Sequence, residues 1–457
     1  MSNGKKTASF GSRFGYIMVA AGAAIGLGNI WKFPYLAYGG GGGAFVVVYI
    51  ILCLILGHPV VEMETTVGRY AKTNCIDAYG VVNKKWKFVG VVNVICTLLI
   101  DMYYIIVSGY VLKYAVQFLV SGQFGSDSLS YYTNIISDPI EPLIYAGILM
   151  IITVVLLSFG ITELVEKVTK VIMPLLFLLL IGCGIWALFI SEGAIEGLKF
   201  YLVPNWNNFT WKAVADACMQ VMFSVGIGWA IFSTLGASVS DESNIRKDSM
   251  WVTICDTTVA LTAGFVIIPS VVGSGSQMTA GPSLIFLAMT DIFGKFPGGR
   301  IIGFFFFTAL IFAVLSTYFT ILEIPVKCLE EKCKISHRKA TVITSIFIFA
   351  GGILCSLSQG NGLLSHIKLP WWSFGTGISY YNIYDWVDCF SGYVLLPLGC
   401  LLTTIYCCKI WGYKEYEKEL TKNGRDGALS KYDKFIITYV VPVLTLIVIL
   451  NCFGFIK

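Results

Sequence analysis

Charge is scarce in this chain: 13% of its 457 residues are Asp, Glu, Lys or Arg, about half the roughly 25% of an ordinary soluble domain. With 32 basic and 27 acidic side chains to serve every loop of a 50.2 kDa protein, too few remain to cover a water-exposed surface of that size. Lipid is therefore the expected solvent for most of it. The small net charge of +5, with no basic run interleaved with aromatics, excludes a nucleic-acid groove. Histidine is rarer still. His58, His337 and His366 fall on different expected sides of a membrane, so they build neither a metal cluster nor a nucleophile–base pair, and no enzyme is expected. The 14 cysteines are mostly single residues in apolar stretches, such as Cys53, Cys96, Cys183 and Cys255, without zinc-site or disulfide spacing. They read as small apolar filler. A cleavable leader is not expected either, because the polar head runs into a long apolar segment with no small-residue cleavage site.

What the chain has in abundance is apolar sequence, 56% of the total. A helix needs roughly 20 apolar residues to cross about 30 Å of hydrocarbon. About eleven segments qualify, near residues 14–38, 44–68, 88–120, 143–159, 166–190, 213–239, 250–273, 300–327, 341–357, 384–408 and 435–455. With the N-terminus inside, 24 of the Lys and Arg residues fall in cytoplasmic loops. Six face the other side: Lys199, Lys212, Lys295, Arg300, Lys368 and Lys457. The positive-inside rule thus orients the chain with a cytoplasmic N-terminus and the tail outside. The odd span count leaves ten for two halves of five and an accessory eleventh.

Spans one and six carry glycine-rich interruptions, Ala-Gly-Ala-Ala-Ile-Gly-Leu-Gly-Asn over residues 21–29 and Phe-Ser-Val-Gly-Ile-Gly-Trp over residues 223–229. A membrane helix tolerates such breaks where the freed backbone finds partners. Matching breaks five spans apart are the mark of an inverted-repeat transporter at its central binding site; the other reading is close helix packing on small residues. If both spans unwind, four helix ends meet: exposed N–H groups favour an anionic group and exposed carbonyls a cation, which suits an amino acid zwitterion. Carbonyls near Gly22, Ala24, Ile25, Phe223 and Ser224 are then free for sodium. Asn29, Ser224, Asp256 and the Ser316–Thr317 pair offer side-chain oxygens. Asp256 is the sharpest clue, since a carboxylate in an otherwise uncharged helical stretch needs a cation or a proton. Asp101 in span three poses the same question without indicating which way it faces. Lys32 and Asp388 read either as an ion pair across an outer vestibule or as two residues snorkelling to the interface.

The run Gly-Ala-Ala-Ile-Gly-Leu-Gly-Asn-Ile-Trp-Lys-Phe-Pro at Gly22–Pro34 resembles the neurotransmitter:sodium symporters. Further matching segments are Gly-Gly-Gly-Ala-Phe opening span two, Val67-Gly68-Arg69-Tyr70, Tyr103-Tyr104, Gln220 with Phe223-Ser224, Ala263-Gly264-Phe265, and Ala313 with Ser316-Thr317. The resemblance covers essentially the whole chain. It implies an all-α polytopic membrane protein of the LeuT-type 5+5 inverted repeat, with about eleven transmembrane helices and helices one and six broken. The units implied are a cytoplasmic segment (1–13), the first five-helix repeat (14–190), an extracellular linker (191–211), the second repeat (212–408), a cytoplasmic loop (409–434) and an accessory helix (435–457).

The resemblance further implies two sodium ions: one held by the Ala24 carbonyl, Asn29, Ser224, Asp256 and the substrate carboxylate, the other by the carbonyls of Gly22, Ile25 and Ala313 with the Ser316 and Thr317 hydroxyls. Tyr104 would bind the substrate carboxylate, with Ala24, Gly26, Gly28, Ser224 and Thr317 around it. Phe223 would close the cavity from outside, Ile100, Gly226, Trp229 and Ile321 would line the side-chain pocket, and Lys32 with Asp388 would gate it. Amine-transporting relatives carry Asp where Gly26 stands, so the expected substrate is an amino acid with its own carboxylate. The apolar lining favours a large hydrophobic or aromatic side chain, unless Trp229 fills the space that Gly226 vacates. Chloride-dependent relatives have Asn at the position of Asp256 and Ser at that of Ala260, so chloride independence is expected. Other departures are Lys32 for Arg, Phe10 for Trp, and Leu164 where relatives place a glycine ten residues before the proline kept here as Pro174. The expected activity is sodium-coupled import by alternating access. The alternative is an uncoupled amino acid receptor or channel-like protein on the same scaffold. No obligate protein partner is expected beyond the lipid bilayer. A single N-x-Ser/Thr match, at Asn208, and short polar tails suggest a bacterial inner membrane.

Overall fold

The computed structural model describes residues 10–124, 127–189, 193–207, 209–275, 283–374, 376–422 and 428–455. Residues 1–9 of the expected head, Ile190, Asn208 and Lys457 lie outside the described residues.

Eight of the described helices are long and apolar enough to cross a membrane: Gly43–Ala71, Lys84–Val120, Ile161–Phe189, Ile245–Gly273, Gly299–Cys333, His337–Leu357, Ile383–Ile410 and Lys431–Cys452. Two bent pairs raise the number to ten. The first is Arg13–Ala24 with Gly28–Gly39, bent by 57°; the second is Ser128–Ser137 with Glu141–Leu157, bent by 74°. The remaining expected span, the sixth, is two arms, Trp211–Val225 of 15 residues and Ile231–Gly236 of 6. In chain order these elements correspond to the expected spans one to eleven, most of them longer than hydropathy alone indicates.

The two broken spans form because their freed backbone groups are answered by neighbours. In span one the helix ends at Ala24. Beyond it, the Gly26 N–H donates to Asn29 Oδ1 at 3.1 Å, and Gln220 Nε2 donates to the Gly28 carbonyl at 3.1 Å. In span six the chain turns through left-handed backbone at Gly226 (φ +81), Gly228 (φ +91) and Ala230 (φ +67). The first two positions are where glycine costs least. The Gly228 N–H donates to Glu64 Oε1 at 2.7 Å, and Thr97 Oγ1 donates to the Trp229 carbonyl at 2.7 Å. Buried backbone without such partners would cost several kcal/mol per group in hydrocarbon.

The inner arm of span one packs against spans five, seven and eight, and span three lies along span eight. Span eleven is peripheral: 28% of its apolar window is buried, against 67% for span two. Apolar side chains such as Ile151, Leu178 and Ile346, each about two-thirds exposed, face the lipid. Span five opens with a wide π-helical turn, Ile161–Val165, after Gly160 at φ +91. Leu164, at the position where the resemblance places a glycine, lies within that turn. Outside the expected spans lie further helical segments, among them Cys75–Ala78, Ser128–Ser137, Ala194–Leu202, Leu284–Met289 running into Thr290–Lys295, and Tyr413–Leu420, and the antiparallel hairpin Leu369–Ser373 with Gly377–Tyr381. All 14 cysteines are free thiols; Cys75 and Cys328 nonetheless face each other at 3.6 Å.

Candidate functional site at the two helix breaks

The breaks meet in the middle of the molecule, and the residues expected from the sequence converge there. Asn29 Nδ2 donates to Ser224 Oγ at 2.8 Å and to Asp256 Oδ1 at 2.6 Å. Ser224 Oγ lies 3.1 and 3.0 Å from the two carboxylate oxygens of Asp256. Tyr49 donates to the same Ser224 oxygen at 3.1 Å. Asn29, Ser224 and Asp256 are all buried, and Ala24 ends the helical arm beside them. The Ser224 hydroxyl and the two Asp256 oxygens put hard oxygen ligands around one formal negative charge, with the Asn29 amide turned to give them its N–H groups while its oxygen accepts from Gly26.

A second set lies where the inner arm of span one meets span eight. Thr317 Oγ1 is 3.1 Å from the Gly22 carbonyl and 2.9 Å from that of Ile25. Ser316 Oγ is 3.0 Å from the Ala313 carbonyl. A Cβ on Gly22 would come within 2.9 Å of the Ser316 Cβ, so glycine is what permits the approach of the two helices.

Between the two sets, the missing side chain of Gly26 lets Thr317 and Tyr104 approach the backbone closely. A Cβ there would stand 3.2 Å from both Thr317 Oγ1 and the Tyr104 hydroxyl. The Leu27 N–H points to that hydroxyl at 3.5 Å. A Cβ on Gly28 would fall 2.6 Å from the Phe223 ring, so the ring packs directly on the outer arm. Phe223 stacks on Trp229 with centroids 6.0 Å apart, and Ile100 and Ile321 are fully buried. At Gly226, a Cβ would meet Ile231 Cδ1 at 2.9 Å, with Trp229 Nε1 3.5 Å away. Those two side chains therefore occupy space beside the glycine.

The two expected gate residues are not in direct contact, with no ion pair within 4.0 Å joining Lys32 to Asp388 among the described residues, although Asp388 acts on Lys32 electrostatically. The Lys32 ammonium instead sits 4.6 Å from the Phe223 ring centroid and 5.0 Å from that of Tyr393. Lysine is a point charge without the planar fork of arginine, and aromatic faces satisfy it without bidentate geometry. At the N-terminal end of span one, Arg13 Nε pairs with Asp248 Oδ1 at 2.6 Å, Phe10 packs edge-on to Tyr16 at 5.3 Å, and the Gly11 N–H donates to Glu166. Because the Arg13 side chain is 54% exposed, the pair contributes only about 1 kcal/mol. Arg13→Ala is accordingly expected to shift the balance toward a form open at this end of span one by about fivefold. Thiol labelling of a cysteine placed at Ser238, which lines the same cleft as Arg13 and Asp248, measures this; unchanged labelling would remove the pair from the gating.

Sequence reasoning missed Glu64, a fully buried carboxylate in span two that caps the break of span six. It also missed Thr97 and the Arg13–Asp248 pair. Glu64 stands with Glu62 in a stretch that reads as the polar end of span two; the other contacts join residues more than 130 positions apart and leave no local signal.

The sodium:neurotransmitter symporter family model matches residues 7–126 and 141–456. An uncharacterized sodium-dependent transporter of Bacillus subtilis (strain 168), YhdH, is 31% identical over 456 residues, covering 98% of each chain. A similarly described transporter of Haemophilus influenzae is 30% identical, over 98% of this chain and 99% of that one. The crystal structure of MhsT in complex with L-phenylalanine superposes with a TM-score of 0.86 at 31% identity, over 98% of this chain and 100% of that chain. The fold is thus the LeuT type. Two broken helices, oxygen-rich sets at their breaks and matches along nearly the whole length agree: the chain belongs to the sodium:neurotransmitter symporter family, as a multi-pass, sodium-dependent membrane transporter rather than an enzyme.

Proposed function

We propose that this transporter imports a neutral amino acid with a large hydrophobic or aromatic side chain, together with two sodium ions and without chloride. The observation that carries the reading is the Asn29–Ser224–Asp256 cluster beside Gly26, whose missing Cβ lets the Tyr104 hydroxyl and Thr317 come close to the backbone. The first sodium would bind Asn29, Ser224, Asp256 and the Ala24 carbonyl and share the substrate's carboxylate. The second would bind the carbonyls of Gly22, Ile25 and Ala313 with Ser316 and Thr317. The substrate carboxylate would rest at Gly26 against Tyr104, near the N–H groups of Gly26 and Leu27 that precede the outer arm of span one. Its side chain would extend toward Ile100, Phe223, Trp229 and Ile321. MhsT, whose structure holds L-phenylalanine, supports this substrate class. So does the absence of an acid at Gly26 to pair an amine.

Chloride independence follows from charge. Asp256 supplies a fixed negative charge at the Tyr49–Ser224 oxygens, and a second anion there would face a carboxylate at close range in a dry site. We read the N-terminus as cytoplasmic and the membrane as a bacterial inner membrane. Thermal-shift screening of the twenty amino acids tests the reading: stabilisation by leucine or aromatic amino acids is expected in sodium but not potassium, and equally in chloride and gluconate. Stabilisation that disappears with chloride would overturn the anion assignment.

A further inference from the structure

Span three carries a stripe at helical spacing, Thr97, Ile100, Asp101, Tyr104 and Ser108, and all five are buried. The stripe faces the site, because Thr97 holds the Trp229 carbonyl and Tyr104 meets the Leu27 N–H. Asp101 lies between those two anchors, fully buried, and among the described residues neither of its carboxylate oxygens has a hydrogen-bond partner. No described Lys, Arg or His lies within 4.0 Å of it. It is within electrostatic reach of the Tyr104 and Tyr318 phenols, whose rings stack with centroids 6.2 Å apart. A buried carboxyl with nothing to bind is costly, and neither of the sodium sets described above uses this one.

We propose that Asp101 selects the substrate side chain: it accepts a hydrogen bond from a donor carried on an aromatic ring, the indole N–H of tryptophan or the phenol O–H of tyrosine. The inference rests on the reading of the central cavity as an amino acid site, with the backbone carboxylate at Tyr104. Asp101 is one helical turn, about 5 Å, from Tyr104 on the same face. An aromatic side chain directed past Ile100, the neighbour of Asp101 on the same buried stripe, would bring its polar end to the carboxyl. That approach is too apolar for a charged side chain to shed its water cheaply, so the carboxyl complements a neutral donor.

Sodium-dependent binding of tyrosine, tryptophan, phenylalanine, leucine and lysine to the purified full chain tests this. Wild type is expected to bind tyrosine and tryptophan at least about 10-fold more tightly than phenylalanine, because a site built around a polar group rejects the ligand that leaves it unpaired. Asp101→Leu is expected to bring the ratios within about threefold by strengthening phenylalanine and leucine, while Asp101→Asn retains part of the preference. Phenylalanine binding as tightly as tyrosine and tryptophan in wild type, an unchanged ratio in Asp101→Leu, or a preference for lysine would each overturn the assignment. If Asp101→Leu does not fold, the wild-type ratio and Asp101→Asn decide. Failure of every amino acid to bind in sodium would instead overturn the cavity reading itself, and this inference with it.

Discussion

Asp256→Asn raises the sodium concentration for half-maximal amino acid uptake by about 10- to 100-fold, while the protein still folds. The amide keeps the volume and one acceptor oxygen, so Asn29 retains a partner; what disappears is the only formal charge in the Asn29–Ser224–Asp256 set. Contacts to a charged group contribute about 1.5–3 kcal/mol, and each 1.4 kcal/mol is tenfold in affinity. The removed charge also opens the Tyr49–Ser224 oxygens to an external anion, so the same variant is expected to gain a dependence on chloride. Sodium titrations of uptake in chloride and in gluconate measure both effects. An unchanged sodium requirement would place the coupling ion elsewhere.

Gly228→Ala is expected to destabilise the protein by about 3 kcal/mol or to abolish its folded yield. Gly228 has φ +91, and a Cβ there would stand 2.3 Å from the Leu396 carbonyl oxygen and 2.7 Å from Cys400 Sγ. Its N–H is also held by Glu64, so relaxing the turn breaks the cap on the sixth span. Gly275, with φ +67 and nothing within 4 Å of an added Cβ, isolates the backbone contribution: Gly275→Ala is expected to cost about 1 kcal/mol. Equal melting behaviour of the two variants would mean that the break of span six is not held as tightly as its packing indicates.

The features legible in the sequence are those with a local physical cause. Lipid thickness fixes the length of an apolar helix, so the spans were readable. Glycines clustered in two such helices can only be packing contacts or breaks, and Asp256 stands out because charge is expensive at that depth. Nothing comparable marks Ser128–Ser137 or the hairpin Leu369–Ser373 with Gly377–Tyr381: outside the hydrocarbon, length and hydropathy are not constrained. Glu64 was hidden by its place in the run His-Pro-Val-Val-Glu-Met-Glu, which reads as the end of a span yet is buried throughout. Lys32 and Asp388 illustrate a different limit. Opposite charges at similar expected depth suggest a pair; Asp388 acts on Lys32 electrostatically beyond 4.0 Å, and the direct contacts of the ammonium are the Phe223 and Tyr393 faces.

The most direct measurement is uptake of radiolabelled tyrosine or leucine into sealed proteoliposomes with an inward sodium gradient, compared with potassium on both sides. Each sodium entering across 100 mV contributes about 2.3 kcal/mol, so two ions permit accumulation of roughly 10³-fold at that voltage. The account predicts uphill accumulation that collapses when the sodium gradient is dissipated. Sodium-dependent binding without accumulation, or accumulation that persists in potassium, would contradict it.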